Sequence, residues 1–154
     1  MPYSCAIVEQ SAEPVLSIRT RTPLRDLPQA LQRAYGAIVQ YLGELGEAPA
    51  GPPFLAYYNM DMTDLDVEIG FPVARELPGR GEVEPGEIPA GKYATTNYTG
   101  PYQGIGSAYD ALAQWMRQNN YEPTGVAYEL YLNDPQAVAP EELETRILMP
   151  LRGR

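Results

Sequence analysis

The chain has 154 residues, room for one compact domain or two small halves sharing a core, and 44% of them are hydrophobic, which argues against wholesale disorder. Its 11 basic and 20 acidic residues leave a net charge of −9, which repels phosphate backbones and anionic lipid and draws in cations. Histidine is absent and Cys5 is the single cysteine, which excludes the Ser-His-Asp triad, the Cys-His pair, histidine and cysteine-rich metal sites and an internal disulfide. No direct nucleic acid partner, no metal and no cofactor are therefore expected. The lone cysteine fits a reducing cytoplasm, "MPYSCAIVEQSAEP" lacks the basic start and apolar stretch of a signal peptide, and no run of about 18 apolar residues exists. A cytoplasmic chain that does not enter a membrane is the expectation.

In chain order, "PVLSIRT" (14–20) reads as a strand, rich in β-branched residues. A helix follows, with Leu31, Ala34, Tyr35, Ile38, Leu42 and Leu45 on one stripe and Asp26 as its N-cap. Segments 54–59 and 66–73 are strands. The Gly/Pro/Glu-rich "ELPGRGEVEPGEIP" (76–89) reads as a connection, with Glu82, Glu84 and Glu87 as solvated charge. "GKYATTNY" (91–98) is again a strand. "GIGSAYD" (104–110) falls short of a dinucleotide fingerprint and opens a helix striped with Ile105, Ala108, Tyr109, Leu112, Trp115 and Met116. Strands at 126–132 and 144–150 close the chain.

The halves resemble each other. A shift of 74 positions carries Ala34, Tyr35, Ala37 and Gln40 onto Ala108, Tyr109, Ala111 and Gln114. The same shift carries Pro49, Gly51, Tyr57 and Asn59 onto Pro123, Gly125, Tyr131 and Asn133. A four-residue insertion then aligns "DVEIGFPV" (66–73) with "ETRILMPL" (144–151). The expectation is a single domain of two β-α-β-β repeats, about 1–75 and 87–154, joined by a linker at 76–86. Such a duplication predicts an α+β fold: one mostly antiparallel sheet, two helices on one face and a ligand cleft on the other.

Within "AYELYLNDP" (127–135), Glu129 stands among aromatic and aliphatic neighbours, where a buried carboxylate needs a partner or a task. Val126, Tyr128, Leu130 and Leu132 share one parity, the expected floor under a helix; Ala127, Glu129 and Tyr131 share the other. By the repeat, Leu55 and Tyr57 follow Glu129 and Tyr131, so a cleft lined by Tyr57, Tyr131 and Glu129 is expected on the open face. A carboxylate among tyrosine rings attracts a cation by charge and by ring quadrupole, each cation–π contact being worth roughly 0.5–2 kcal/mol. Arg146 has the opposite parity to Thr145 and Ile147, which points it to the open face too. The plainer alternative for Glu129 is thus a salt bridge to Arg146 on a solvated face, worth about 0–1 kcal/mol. Tyr35, Tyr109 and Trp115 read as packing. Tyr98 and Tyr102 flank the turn into the second helix, where they either tie the loop or join the site.

"TTNYTGPYQGIGSAYDALAQWM" (95–116), "YELYLNDP" (128–135) and "ELETRILMPL" (142–151), set in the duplicated pattern, resemble the GyrI-like small-molecule-binding domain, here in a stand-alone form. That domain also serves as the effector module of bacterial multidrug-sensing transcription activators. The resemblance implies binding of hydrophobic, cationic aromatic molecules. By motif it assigns the counter-charge to Glu129 and aromatic walls to Tyr131 and Tyr102. Tyr57, Tyr98, Leu55, Ala127 and Arg146 complete the candidate site. One departure is Thr145-Arg146-Ile147, where relatives often read Thr-Glu-Ile. Some relatives hydrolyse strained, cyclopropane-containing natural products, and the enzymatic alternative uses Glu129 with Tyr131 or Tyr102. A gyrase-interacting protein is a further alternative, haem binding is weakened by the missing histidine, and any transcriptional role would need a separate protein partner.

Overall fold

The computed structural model describes residues 3–152, and the segments with period-two patterning form its strands. In chain order these are β1 (Ala6–Gln10), β2 (Glu13–Thr22), α1 (Leu27–Glu44), β3 (Phe54–Tyr57), β4 (Leu65–Pro72), β5 (Glu84–Ile88), β6 (Gly91–Thr99), α2 (Gly106–Gln118), β7 (Ala127–Tyr131) and β8 (Glu144–Pro150). The fold is α+β and its strands are mostly antiparallel. The chain divides into two units. The first runs from Ala12 to Pro89; the second combines residues 3–11 with residues 90–152.

In the first unit the strand order is β3-β4-β2-β5. Leu16, Ile18, Val67, Ile69 and Phe71 are buried, and Tyr35 of α1 meets Phe71 edge-on at 5.2 Å, which places α1 over that row. Gly70 permits the tight β2–β4 approach: a Cβ there would lie 2.4 Å from the Leu16 carbonyl oxygen. α1 begins with a proline in its first turn, where a missing N–H costs nothing. Asp26 stands at the N-cap as expected, but its side chain makes no capping bond.

In the second unit the order is β1-β6-β8-β7. Ala108, Leu112 and Met116 of α2 pack onto Ala94, Tyr98 and Ile147. Full burial of a leucine or methionine side chain contributes about 1.5–3 kcal/mol, so these contacts hold a helix of mixed composition in place. Tyr3 at the start of the described chain bonds Ser107 in the first turn of α2, the two hydroxyls 2.6 Å apart.

Two boundaries differ from those expected. Residues 3–11 belong with the later half, because β1 pairs with β6. The segment expected as a linker, 76–86, runs into β5, which pairs with β2 from Glu13↔Ile88 to Ser17↔Glu84. β5 holds Pro85 at the edge of its sheet, where a missing N–H is tolerated, and composition hid it. No helix among the described residues is long and apolar enough to cross a membrane.

Candidate functional site

β7 brings Glu129 into the second unit by an unbroken antiparallel ladder to β8, with Glu129 opposite Ile147 and Tyr131 opposite Thr145. Paired residues share a face. Ile147 lies beneath α2, and so does Glu129. This reverses the expected orientation: the carboxylate faces the helix side of its sheet, and Tyr128 and Leu130 face away. Parity misled because both faces of β7 bury apolar groups. Tyr128 is buried against Tyr93 at 6.3 Å on one face, and Ala127 is buried on the other.

Glu129 is only 6% exposed, and both of its oxygens accept hydrogen bonds from phenols. Tyr109 of α2 donates to Oε2 at 2.6 Å, and Tyr131 donates to Oε1 at 2.8 Å. Burial pushes the carboxyl group above its ordinary value, while the Tyr109 and Tyr131 hydroxyls pull the other way by stabilising the anion. Above this pair stands Tyr102, in a single 3-10 turn at Tyr102–Gly104, its ring edge-on to Tyr131 at 5.6 Å. Tyr102 is exposed, and desolvation together with the negative Glu129 raises its phenol. Glu129, Tyr131 and Tyr102 thus step from a buried carboxylate through a half-buried ring to one at the surface.

Tyr98 acts beneath the turn. It is 6% exposed and donates to the Pro101 carbonyl at 2.6 Å, so its hydroxyl ties the chain that carries Tyr102. Gly104 is required by this contact, since a Cβ there would lie 2.3 Å from the Tyr98 oxygen. Ala127 is buried on the Glu129 side of β7.

Arg146 is separated from this group. It pairs across the ladder with Leu130, shares the outward face, and donates from Nε to Asn97 Oδ1 at 3.2 Å. The salt bridge to Glu129 is therefore absent, and Arg146 does not neutralise that carboxyl group. In the first unit, Leu55 is fully buried opposite Ile69, and Tyr57 is half-buried opposite Val67, both on the α1 side.

Tyr109 is the residue that sequence reasoning missed, having been assigned to packing. The available signal was its hydroxyl: a phenol on an apolar helix stripe must find an acceptor when it docks. Tyr35, which the 74-position shift aligns with it, finds a main-chain one, donating to the Phe54 carbonyl at 2.8 Å, one residue before fully buried Leu55. Where the first unit has leucine and a main-chain acceptor, the second has a carboxylate.

Comparison with known proteins places the fold. The C-terminal domain of EcmrR superposes with a TM-score of 0.78 at 24% identity, covering 100% of each chain. EcmrR in its complex with DNA gives a TM-score of 0.85 at 24% identity and 99% coverage, and this chain spans 58% of that one. SAV2435 bound to tetraphenylphosphonium gives 0.70 at 13% identity, with 99% of this chain and 95% of that one covered. No curated protein matches. Residues 3–152, all that the structure describes, match one family over their whole length, and the chain belongs to the GyrI-like small-molecule-binding domains.

Proposed function

We propose that the chain binds hydrophobic, cationic aromatic small molecules at Glu129, as a multidrug-type sensor or sequestering domain. The observation that carries this is the buried carboxylate held by two phenol donors and approached through Tyr102. A positive ligand replaces what the two phenols supply only in part, a full charge opposite the carboxylate. The rings add quadrupole attraction, worth roughly 0.5–2 kcal/mol each. Tyr131 and Tyr102 form the walls, Glu129 the counter-charge, and Tyr109 and Tyr98 hold them in position. The shared fold of SAV2435, solved with tetraphenylphosphonium, supports the choice of ligand class. Titration with tetraphenylphosphonium tests it: the native chain binds, and Glu129→Gln weakens binding about tenfold or more, an energy near 1.4 kcal/mol. Absence of binding, or equal affinity in the variant, removes this function.

A second function is favoured by the same hydrogen bonds: hydrolysis of strained, electrophilic cyclopropane-containing compounds. Burial makes the Glu129 carboxylate more basic, so it can take a proton from water as the water oxygen bonds a ring carbon and the strained C–C bond breaks, while the Tyr131 or Tyr102 phenol donates to the anion that receives that bond's electrons. A hydrolase from Listeria innocua shares the fold, with a TM-score of 0.71 at 14% identity, covering 98% of this chain and 93% of that one. Product formation that disappears in Glu129→Gln supports this activity; stoichiometric uptake without product leaves binding alone.

A further inference from the structure

The outward face of the second unit's sheet, away from α2, holds an open hollow of about 760 Å³. That lies within the roughly 300–1,000 Å³ of small-molecule pockets. Its chemistry is unlike that around Glu129. Among the described residues no acidic one lines it, and Gln10, Asn97 and Thr99 surround a single cation, Arg146, beside the apolar Val8 and Leu148. In a chain of net charge −9 an arginine usually finds a carboxylate, as Arg19, Arg80 and Arg152 do. Arg146 forms no ion pair among the described residues; its one hydrogen bond runs from Nε to Asn97 Oδ1. Glu144, two positions along the same face of β8, is not bonded to it. That bond fixes the guanidinium plane and leaves the terminal Nη1 and Nη2 pair, a fork whose geometry matches a carboxylate.

We propose that this hollow is a second binding site, independent of Glu129, for a small organic monocarboxylate. The carboxylate meets the terminal nitrogens of Arg146. The Asn97 amide and Thr99 hydroxyl bond its remaining lone pairs, and its hydrocarbon part lies on Val8 and Leu148. One guanidinium neutralises one negative charge. A dianionic phosphate would keep an excess charge inside a protein field of the same sign, which selects against it.

Benzoate is the probe, followed by ¹H–¹⁵N correlation spectra of the full chain, with inorganic phosphate as the competing chemistry. Benzoate moves the amide signals of β1, β6 and β8, and Arg146→Gln weakens it about tenfold or more, as loss of a charge-assisted bidentate pair requires. Asn97→Ala, at an exposed position, weakens it in the same direction and serves if Arg146→Gln does not fold. Affinity for tetraphenylphosphonium changes by less than about twofold in both variants, since the sites share no partner. Failure of tetraphenylphosphonium to bind the native chain would count against the Glu129 function and leave the benzoate result standing. Benzoate that moves no signal in these strands, that binds both variants as it binds the native chain, or that phosphate displaces at equal concentration overturns the assignment.

Discussion

At the scale of single residues, Glu129 decides the behaviour of the site. Tyr109 supplies one of its two hydrogen bonds, and Tyr109→Phe leaves one oxygen of a buried carboxylate without a donor. A loss of about 1–3 kcal/mol is expected in urea unfolding, with the Glu129 carboxyl titrating still higher by NMR. A pH dependence follows with a definite sign. The folded chain holds the Glu129 proton more tightly than the unfolded chain does, so the associated stability is complete below the ordinary value of 4.5 and is lost as pH rises through the raised folded value. Asp66, held low chiefly by its hydrogen bond from Arg19, acts oppositely: its contribution is lost as pH falls. That contribution is common to the native chain and Glu129→Gln. The difference in unfolding free energy between the two should therefore drift against the native chain as pH climbs above 4.5. Parallel curves would count against it. Glu129 and Tyr131 stood out in the sequence as a charged position among rings, whereas Tyr102 was assigned to the site only through the family resemblance. The direction of Glu129 was not legible, because Tyr128 and Ala127 are both buried and alternation carries no sign when both faces are dry.

Among elements, the turn before α2 is the part most exposed to a single change. Gly104→Ala drives a Cβ into the Tyr98 hydroxyl, so either the Tyr98–Pro101 bond or the position of Tyr102 is lost. Overpacking of this kind costs about 1–3 kcal/mol. A lower Tm together with weaker tetraphenylphosphonium binding is expected. Gly106→Ala, two residues on at the start of α2, meets nothing within 4 Å and should instead stabilise the fold by roughly 0.4–1 kcal/mol, by narrowing the unfolded chain's freedom. If both variants behave alike in thermal melts, the Tyr98 contact is not what the turn depends on. Elements with strong patterning were readable: both helices and six strands stand close to where periodicity put them. β1 and β5 were not. β5 carries Pro85 and Gly86 and exposes four of its five residues, and β1 is short and half-exposed, so neither advertises a buried face. Their place is set by the neighbouring strands that they extend, which is tertiary information.

On the scale of the molecule, the charge of −9 argues that a lipophilic cation is drawn toward the chain before any contact forms, and salt should slow that approach. The chain path has a separate consequence. Glu13 and Ile88 lie opposite each other in the β2–β5 ladder, so the first unit leaves the second and returns to it at nearly one point. The second unit owes its outermost strand to the five residues Ala6–Gln10, which a truncation designed from the repeat boundary would discard with the first half. A fragment beginning near residue 87 would present the bare rim of β6, with its amides and carbonyls unpaired, and such rims recruit further chains. Light scattering should find that fragment self-associating, whereas a permuted chain that restores β1 ahead of β6 stays monodisperse.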